Sequence, residues 1–191
     1  EGYAVENAIN YSVGFRAPNQ QDLLSSFADY VIDKEAGSTR YSDPLLETRE
    51  SKGLLSTTEA TEVKQLLSAL LQDDSLFKSW LGQTTSEPKH EMDLMPPEDL
   101  YTTEQVAQLI DDSDEIFERL GGTRAIYQST DNEIILSVNG QNFLLPKTDL
   151  AVVKLLTDDV SVTAEQIKSS KNSLKFTQSF TTLLNEGIWF C

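Results

Sequence analysis

The stretch Ile134-Ile-Leu-Ser-Val138-Asn139-Gly140-Gln-Asn-Phe143-Leu-Leu145 governs how the C-terminal half folds. Two apolar runs flank Asn-Gly, a pair that tolerates the positive φ a tight type I′ turn demands, so the stretch predicts a β-hairpin. Upstream, Glu115 to Arg119 and Ala125 to Gln128 read as further short strands. Before them, Thr102 and Gln105 form a capping box that opens a helix through Val106, Leu109 and Ile110. Downstream come three helical stretches, Thr148 to Thr157, Thr163 to Ser169 and Ser173 to Asn185. Gly187 is suited to stop the last of them before Ile188-Trp189-Phe190. A hairpin, a short helix and a longer helix are the parts of a winged-helix domain. The hairpin here precedes the helix pair, an unusual order for a DNA reader.

Towards the N-terminus the pattern becomes helical. Thr84 to Pro97 reads as a linker ending in Met95-Pro96-Pro97. Asp73-Asp74 starts a short helix bearing Leu76, Phe77, Trp80 and Leu81. Ser56-Thr-Thr-Glu59 is a capping box, followed by Val63, Leu66, Leu67, Leu70 and Leu71 at helical spacing. Ala36 to Ser56 is a polar loop, and Asn19 with Asp22 caps a helix through Leu23, Leu24, Phe27, Tyr30 and Val31. These short helices carry more apolar surface than they can bury among themselves. The excess is expected to form a subunit interface, with Phe77 and Trp80 as candidate anchors; the alternative is burial on a part of the protein outside this sequence.

The first residues alternate. Ala8, Asn10, Ser12 and Gly14 share one face of a strand, and Ile9, Tyr11, Val13 and Phe15 share the other. Two readings stand: a strand with its small polar face in water, or one whose polar face lines the cavity of a barrel, where Asn10 and Ser12 could hydrogen-bond a ligand. One strand is not a sheet, and its partners are not evident in the following hundred residues. The expectation is a chain whose N-terminal part lies outside this sequence.

Charge narrows the function classes. The 191 residues hold 15 Lys and Arg against 31 Asp and Glu, a net charge of −16. From Pro97 to Cys191 stand 15 acidic and 7 basic residues, and the first 96 residues hold 16 and 8, so each part carries −8. The helix best placed to enter a groove has only Lys171 and Lys175 on or beside it. Phosphate contacts need a cationic surplus, so DNA binding and anionic membranes are not expected. No apolar run approaches the ~20 residues that span a bilayer. The single cysteine, Cys191, excludes an intramolecular disulfide and points to a reducing, cytoplasmic setting.

Glu1-Gly-Tyr-Ala-Val-Glu-Asn-Ala-Ile-Asn-Tyr-Ser-Val-Gly-Phe-Arg-Ala-Pro18 resembles a signature of the bacterial ribosomal oxygenases. Supporting segments are Phe27-Ala-Asp-Tyr-Val31, Tyr41-Ser-Asp-Pro44, His90-Glu-Met-Asp93 with Pro96-Pro97, Arg119-Leu-Gly-Gly122 and Gly187-Ile-Trp-Phe190. These are cupin-like, JmjC-related hydroxylases of ribosomal proteins that depend on Fe(II) and 2-oxoglutarate. The resemblance implies an α+β chain in three parts. Residues 1–17 would be the last strand of a double-stranded β-helix barrel, 18–96 a helical dimerisation region with linker, and 97–191 a winged-helix-like domain. It also implies that Asn10 helps position the co-substrate, with Ser12 beside it. Arg16 is a candidate carboxylate clamp, but its place at the strand's end favours a structural role.

The same resemblance carries a departure. The family holds iron with a His-x-Asp pair and a distant second His, the facial triad of non-heme oxygenases. In the family that second His immediately precedes Glu-Gly-Tyr, and this sequence begins at Glu1. The only histidine is His90, read as a surface residue of the linker. No catalytic residue, metal ligand or bound cofactor is therefore expected in this chain alone. Three functional readings follow: the C-terminal portion of an oxygenase that hydroxylates a basic ribosomal protein, at arginine in the resembled members; a stand-alone dimerisation and interaction module; or a winged-helix nucleic-acid regulator, which the charge disfavours.

Overall fold

The computed structural model describes residues 17–42, 51–112, 114–170 and 172–191. The chain divides into two compact units, Glu1–Gly37 and Ser38–Cys191. In the first, helix α1 (Gln20–Asp33) opens on the expected capping box: Asn19 Oδ1 accepts from the Asp22 amide at 3.0 Å, and Asp22 accepts from the Asn19 amide at 3.2 Å. The helix buries Phe27, Tyr30 and Val31 and leaves Leu24 and Ile32 exposed. The expected barrel strand, with Asn10, Ser12 and Arg16, lies outside the described residues apart from Ala17.

The second unit begins with two helices, α2 (Thr57–Gln72) and α3 (Asp74–Ser86). Ser56 and Glu59 close the capping box of α2, and Asp73 caps α3 by accepting from the Leu76 amide at 3.0 Å. Helix α3 continues through Ser86, so the segment expected to be linker from Thr84 starts as helix. After α4 (Thr103–Asp112) come β1 (Ile116–Arg119), β2 (Ala125–Ser129), β3 (Glu133–Val138) and β4 (Gln141–Pro146). A 3-10 turn, Lys147–Asp149, leads into α5 (Leu150–Asp158), β5 (Ser161–Thr163), α6 (Ala164–Ser169), α7 (Leu174–Asn185) and β6 (Trp189–Phe190).

The strands form two antiparallel sheets. Strands β2-β3-β4 make a meander whose β3–β4 turn is the predicted Asn139-Gly140, with φ of 51° and 83°. The other sheet has the order β5-β1-β6, so β1 pairs with strands far along the chain rather than with the adjacent meander. Around these sheets lies the main core. It joins Val106 and Ile110 of α4, Phe117 of β1, Val152 and Leu156 of α5, Ile167 of α6 and Phe176 and Phe180 of α7. Phe180 sits edge-on to Phe117 and Trp189, with ring centroids 5.1 and 6.0 Å away, the offset geometry that aromatic quadrupoles favour.

Strand β3 is buried on both faces. Ile134, Leu136 and Val138 enter the core, so strand alternation turns Ile135 and Ser137 to the opposite face. Helix α3 covers that face. A Cβ on Gly82 would stand 2.2 Å from Ser137 Oγ, so a larger residue here would force the Ser137 hydroxyl out of its place. Three polar contacts fasten the helix, and a fourth, between Ser137 and Asn142, orients one of the donors within the sheet. Gln128 Nε2 donates to the Lys78 carbonyl at 2.7 Å and Asn142 Nδ2 to the Ser79 carbonyl at 2.8 Å. Ser137 Oγ donates to Asn142 Oδ1 at 2.7 Å, and the Gly140 amide donates to Ser86 Oγ at 3.1 Å. The helical region thus lends its last helix to the sheet.

One of the two expected interface anchors is already committed within the chain, while Phe77 stays partly exposed. Trp80 is only 3% exposed in the single chain and stacks at a tilt on Phe77, with centroids 5.3 Å apart. A side chain already buried within its own chain cannot anchor a second subunit. The exposed apolar stripe lies instead on α2, where Val63, Leu67 and Leu71 recur every four residues and no residue of the helix is buried.

Candidate functional site

The donor set for iron comes first. A facial triad takes two imidazoles and a carboxylate, and this chain contains one histidine, the exposed His90. Among the described residues no group of three or more His, Cys, Asp or Glu side chains is placed to hold a metal ion. The residues of this chain do not fit the iron centre of the resembled family. Asn10 and Ser12, the expected co-substrate contacts, lie outside the described residues.

The described residues instead build a braced scaffold. Asp149, wholly buried at the start of α5, accepts from the Ser173 amide at 3.0 Å, from Ser173 Oγ, and from Thr148 Oγ1 at 3.3 Å. Ser173 is the N-cap of α7 and receives the Phe176 amide at 3.2 Å. One carboxylate therefore links the starts of two helices, with hydrogen bonds replacing the water it has lost. At the other end of α5, Arg119 Nη1 donates to the carbonyls of Leu156 and Thr157 at 2.8 and 3.2 Å. Its guanidinium carbon lies 5.9 Å from the centre of the Trp189 ring. Burial lowers the Arg119 pKa from its ordinary value, and the charges of Asp159 and Asp158 oppose that shift.

The end of the expected linker is pinned to the last helix and strand as a strap. The Met95 amide donates to the Gly187 carbonyl at 3.3 Å. Asn185 clasps the backbone of Tyr101 from both sides, accepting from its amide at 2.8 Å and donating to its carbonyl at 3.0 Å. Gly187 has φ +70°, and a Cβ there would fall 2.2 Å from the Met95 carbonyl carbon and 2.3 Å from the Pro96 nitrogen. The helix stop read from the sequence thus has a second task, since it leaves room for the strap.

The helix that would enter a groove in a DNA reader, α7, turns one broad face inward. Phe176, Thr177, Phe180, Thr181, Leu183 and Leu184 of α7 are buried, which leaves a narrow exposed ridge at Leu174, Lys175 and Gln178. Lys168 of α6 is engaged, its Nζ donating to the Asp111 carbonyl at 2.6 Å. Lys171 lies outside the described residues.

The family model described as ROXA-like winged helix matches residues 69–190. The chain belongs to the ROXA-like winged-helix family. The match begins inside α2 and so takes in α3, the helix bolted to the meander. Over 190 residues the chain is 34% identical to the ribosomal protein uL16 3-hydroxylase of Escherichia coli (strain K12), covering 100% of this chain and 49% of that protein. Two solved structures of YcfD, a ribosomal oxygenase from Escherichia coli, are similar. The complex with cobalt and succinic acid matches with TM-score 0.84 and 33% identity, over 98% of this chain and 50% of that one. The complex with cobalt and 2-oxoglutarate matches with TM-score 0.82 and 32% identity, over the same shares. The chain spans about half the length of these relatives. The fold is mixed helix and sheet, with the ROXA-like winged helix as its largest part.

Proposed function

We propose that this chain serves as the C-terminal, non-catalytic portion of an Fe(II)- and 2-oxoglutarate-dependent oxygenase that hydroxylates a ribosomal protein, at an arginine side chain. The observation that carries the proposal is the alignment of the whole chain with half of a ribosomal-protein hydroxylase at 34% identity. The single histidine of this sequence fits that division of labour, because the two imidazoles of the triad would come from the other half. In this reading residues 1–17 contribute a barrel strand whose Asn10 and Ser12 face the co-substrate. Residues 18–96 provide dimerisation, and 97–191 form the winged-helix-like buttress.

The stripe of Val63, Leu67 and Leu71 supports a homodimer formed through α2, since exposed aliphatic rows gain by leaving water. The same stripe supports a second reading, a dimerisation and interaction module acting without an oxygenase half. The inward commitment of α7 and the acidic balance support a winged helix that does not bind DNA. No described helix is long and apolar enough to cross a membrane, and the proposed ribosomal-protein substrate supports a cytoplasmic setting.

Sequencing the gene 5′ of the Glu1 codon separates the two readings. The oxygenase proposal expects an in-frame His codon immediately upstream and a His-x-Asp pair further upstream. An initiation codon directly before Glu1 would favour the stand-alone module.

A further inference from the structure

The outer edge of β6 is unfinished. Strands β1 and β6 pair Glu118 with Phe190 and Arg119 with Trp189. The Arg119 amide donates to the Val160 carbonyl, on the β5 side, and the Leu120 amide donates to the Ile188 carbonyl. Bonds across an antiparallel pair alternate residue by residue, so Ile188 and Phe190 face β1 while the N–H and C=O of Trp189 point away from it. Among the described residues no hydrogen bond reaches either group. The strap comes near without serving them. Its Met95 amide is engaged by the Gly187 carbonyl, and Pro96 and Pro97 have no N–H to give. Trp189 is only 1% exposed, and buried backbone groups are rarely left unpaired, because they have lost water without gaining a partner. Beside them lies a hollow of about 210 Å³, lined by Met95 and Pro97 of the strap, by Tyr101, and by Trp189, Phe190 and Cys191.

We propose that this edge is a docking site for an extended, cationic polypeptide segment, which joins the β5-β1-β6 sheet beside Trp189. One residue of the segment enters the hollow and exchanges both of its backbone hydrogen bonds with Trp189, as an antiparallel neighbour does. Its side chain falls on the Trp189 face of the sheet. The residue before it falls on the other face, which carries Phe190 and its cross-strand partner Glu118. Glu118 is exposed and, among the described residues, has no hydrogen bond or ion pair. An Arg at that preceding position lies across the Phe190 ring and extends toward the Glu118 carboxylate, whose strand is two strand spacings, about 10 Å, from the added backbone. Charge complementarity selects the cation. Residues 90–118 include no Lys or Arg, and Asp93, Glu98 and Asp99 flank the strap's prolines. The edge needs no catalytic half, so its test is independent of the oxygenase reading.

The probe is the blocked peptide acetyl-Ser-Thr-Arg-Val-Thr-Ser-amide, titrated into the 191-residue chain carrying nitrogen-15 in its two tryptophans. The Trp189 amide resonance should shift saturably and its hydrogen exchange should slow on binding, while the Trp80 amide, on α3, stays unchanged. N-methylation of the peptide's Val removes the donor for the Trp189 carbonyl and should weaken binding about tenfold or more. Replacing the peptide's Arg by Gln, or Glu118→Gln in the protein, should each weaken it about two- to fivefold. The two changes together should weaken it no further, since they remove one and the same ion pair. Circular dichroism checks that the Glu118 variant folds, and the N-methylated peptide tests the edge on the unaltered chain. A Trp189 amide that neither shifts nor slows, as ordered water alone in the hollow would leave it, overturns the proposal. So does equal affinity for the N-methylated peptide, or equal affinity of wild type and the Glu118 variant.

Discussion

Replacing Gly187 by Ala tests whether the strap is a fixed part of the winged-helix fold. Gly187 holds φ +70°, a conformation that costs a residue with a Cβ about 1–2 kcal/mol. The added methyl would also stand 2.2–2.4 Å from backbone atoms of Met95 and Pro96, which cannot rotate away as a side-chain end could. Forcing a packed backbone to shift costs about 1–3 kcal/mol more. The expected loss for Gly187→Ala is therefore ~2–5 kcal/mol. Equilibrium urea unfolding, followed by the fluorescence of Trp80 and Trp189, measures it. With a denaturant slope of about 2 kcal/mol/M, the midpoint should fall by about 1–2.5 M. Gly121→Ala is the control, since nothing lies within 4 Å of the position and its φ is not left-handed; it should stay within about 0.5 kcal/mol. If the Gly187 variant lost less than about 1 kcal/mol, below the cost of the φ alone, the strap would not be packed against Gly187 as described.

Asp149→Ala strands the half-buried Ser173 amide and hydroxyl, at up to about 1–3 kcal/mol for each group, and should lower the unfolding midpoint accordingly. Leu67→Asp places a carboxylate in the exposed stripe of α2 and should turn the proposed dimer into a monomer by sedimentation at tens of micromolar without unfolding the chain. The Tyr101 phenol is held above its ordinary pKa, first by its hydrogen bond to Cys191 Sγ at 3.8 Å, then by burial and the nearby charges of Cys191 and Glu115. The folded state thus keeps the Tyr101 proton more tightly than the unfolded chain, so this contribution to stability is complete below about pH 10 and is lost as pH rises through the folded pKa. Cys191→Ala should move the Tyr101 phenolate transition, read by ultraviolet difference absorbance, to lower pH; an unchanged transition would mean that the sulfur contact has no part in it.

Local chemistry made much of the fold legible. The capping boxes at Asn19, Ser56 and Thr102 start helices where the side-chain pattern places them, because each satisfies amides that the helix leaves free. Asn139-Gly140 specified its turn for the same local reason. What escaped the sequence is long-range. A three-residue strand such as β5 has no periodicity to read, and its pairing with β1 joins residues some 45 positions apart. The clamp of α3 on the meander rests on Gly82, Gln128 and Asn142, polar or small residues that in a sequence look like surface. Trp80 read as an interface anchor because its apolarity was visible and its burial was not. The site was the least legible part. Asn10 and Ser12 were singled out by strand alternation and by resemblance, and the described residues do not include them.

The most direct test of the central claim is iron-dependent decarboxylation of 2-oxoglutarate, measured for the purified 191-residue chain and for the same chain joined to its upstream in-frame coding sequence. The account predicts no turnover by the chain alone, because one histidine cannot form the triad, and turnover by the longer protein that disappears when metal is removed. Metal-dependent turnover by the 191-residue chain itself, or a longer protein that remains inert with iron present, would contradict it.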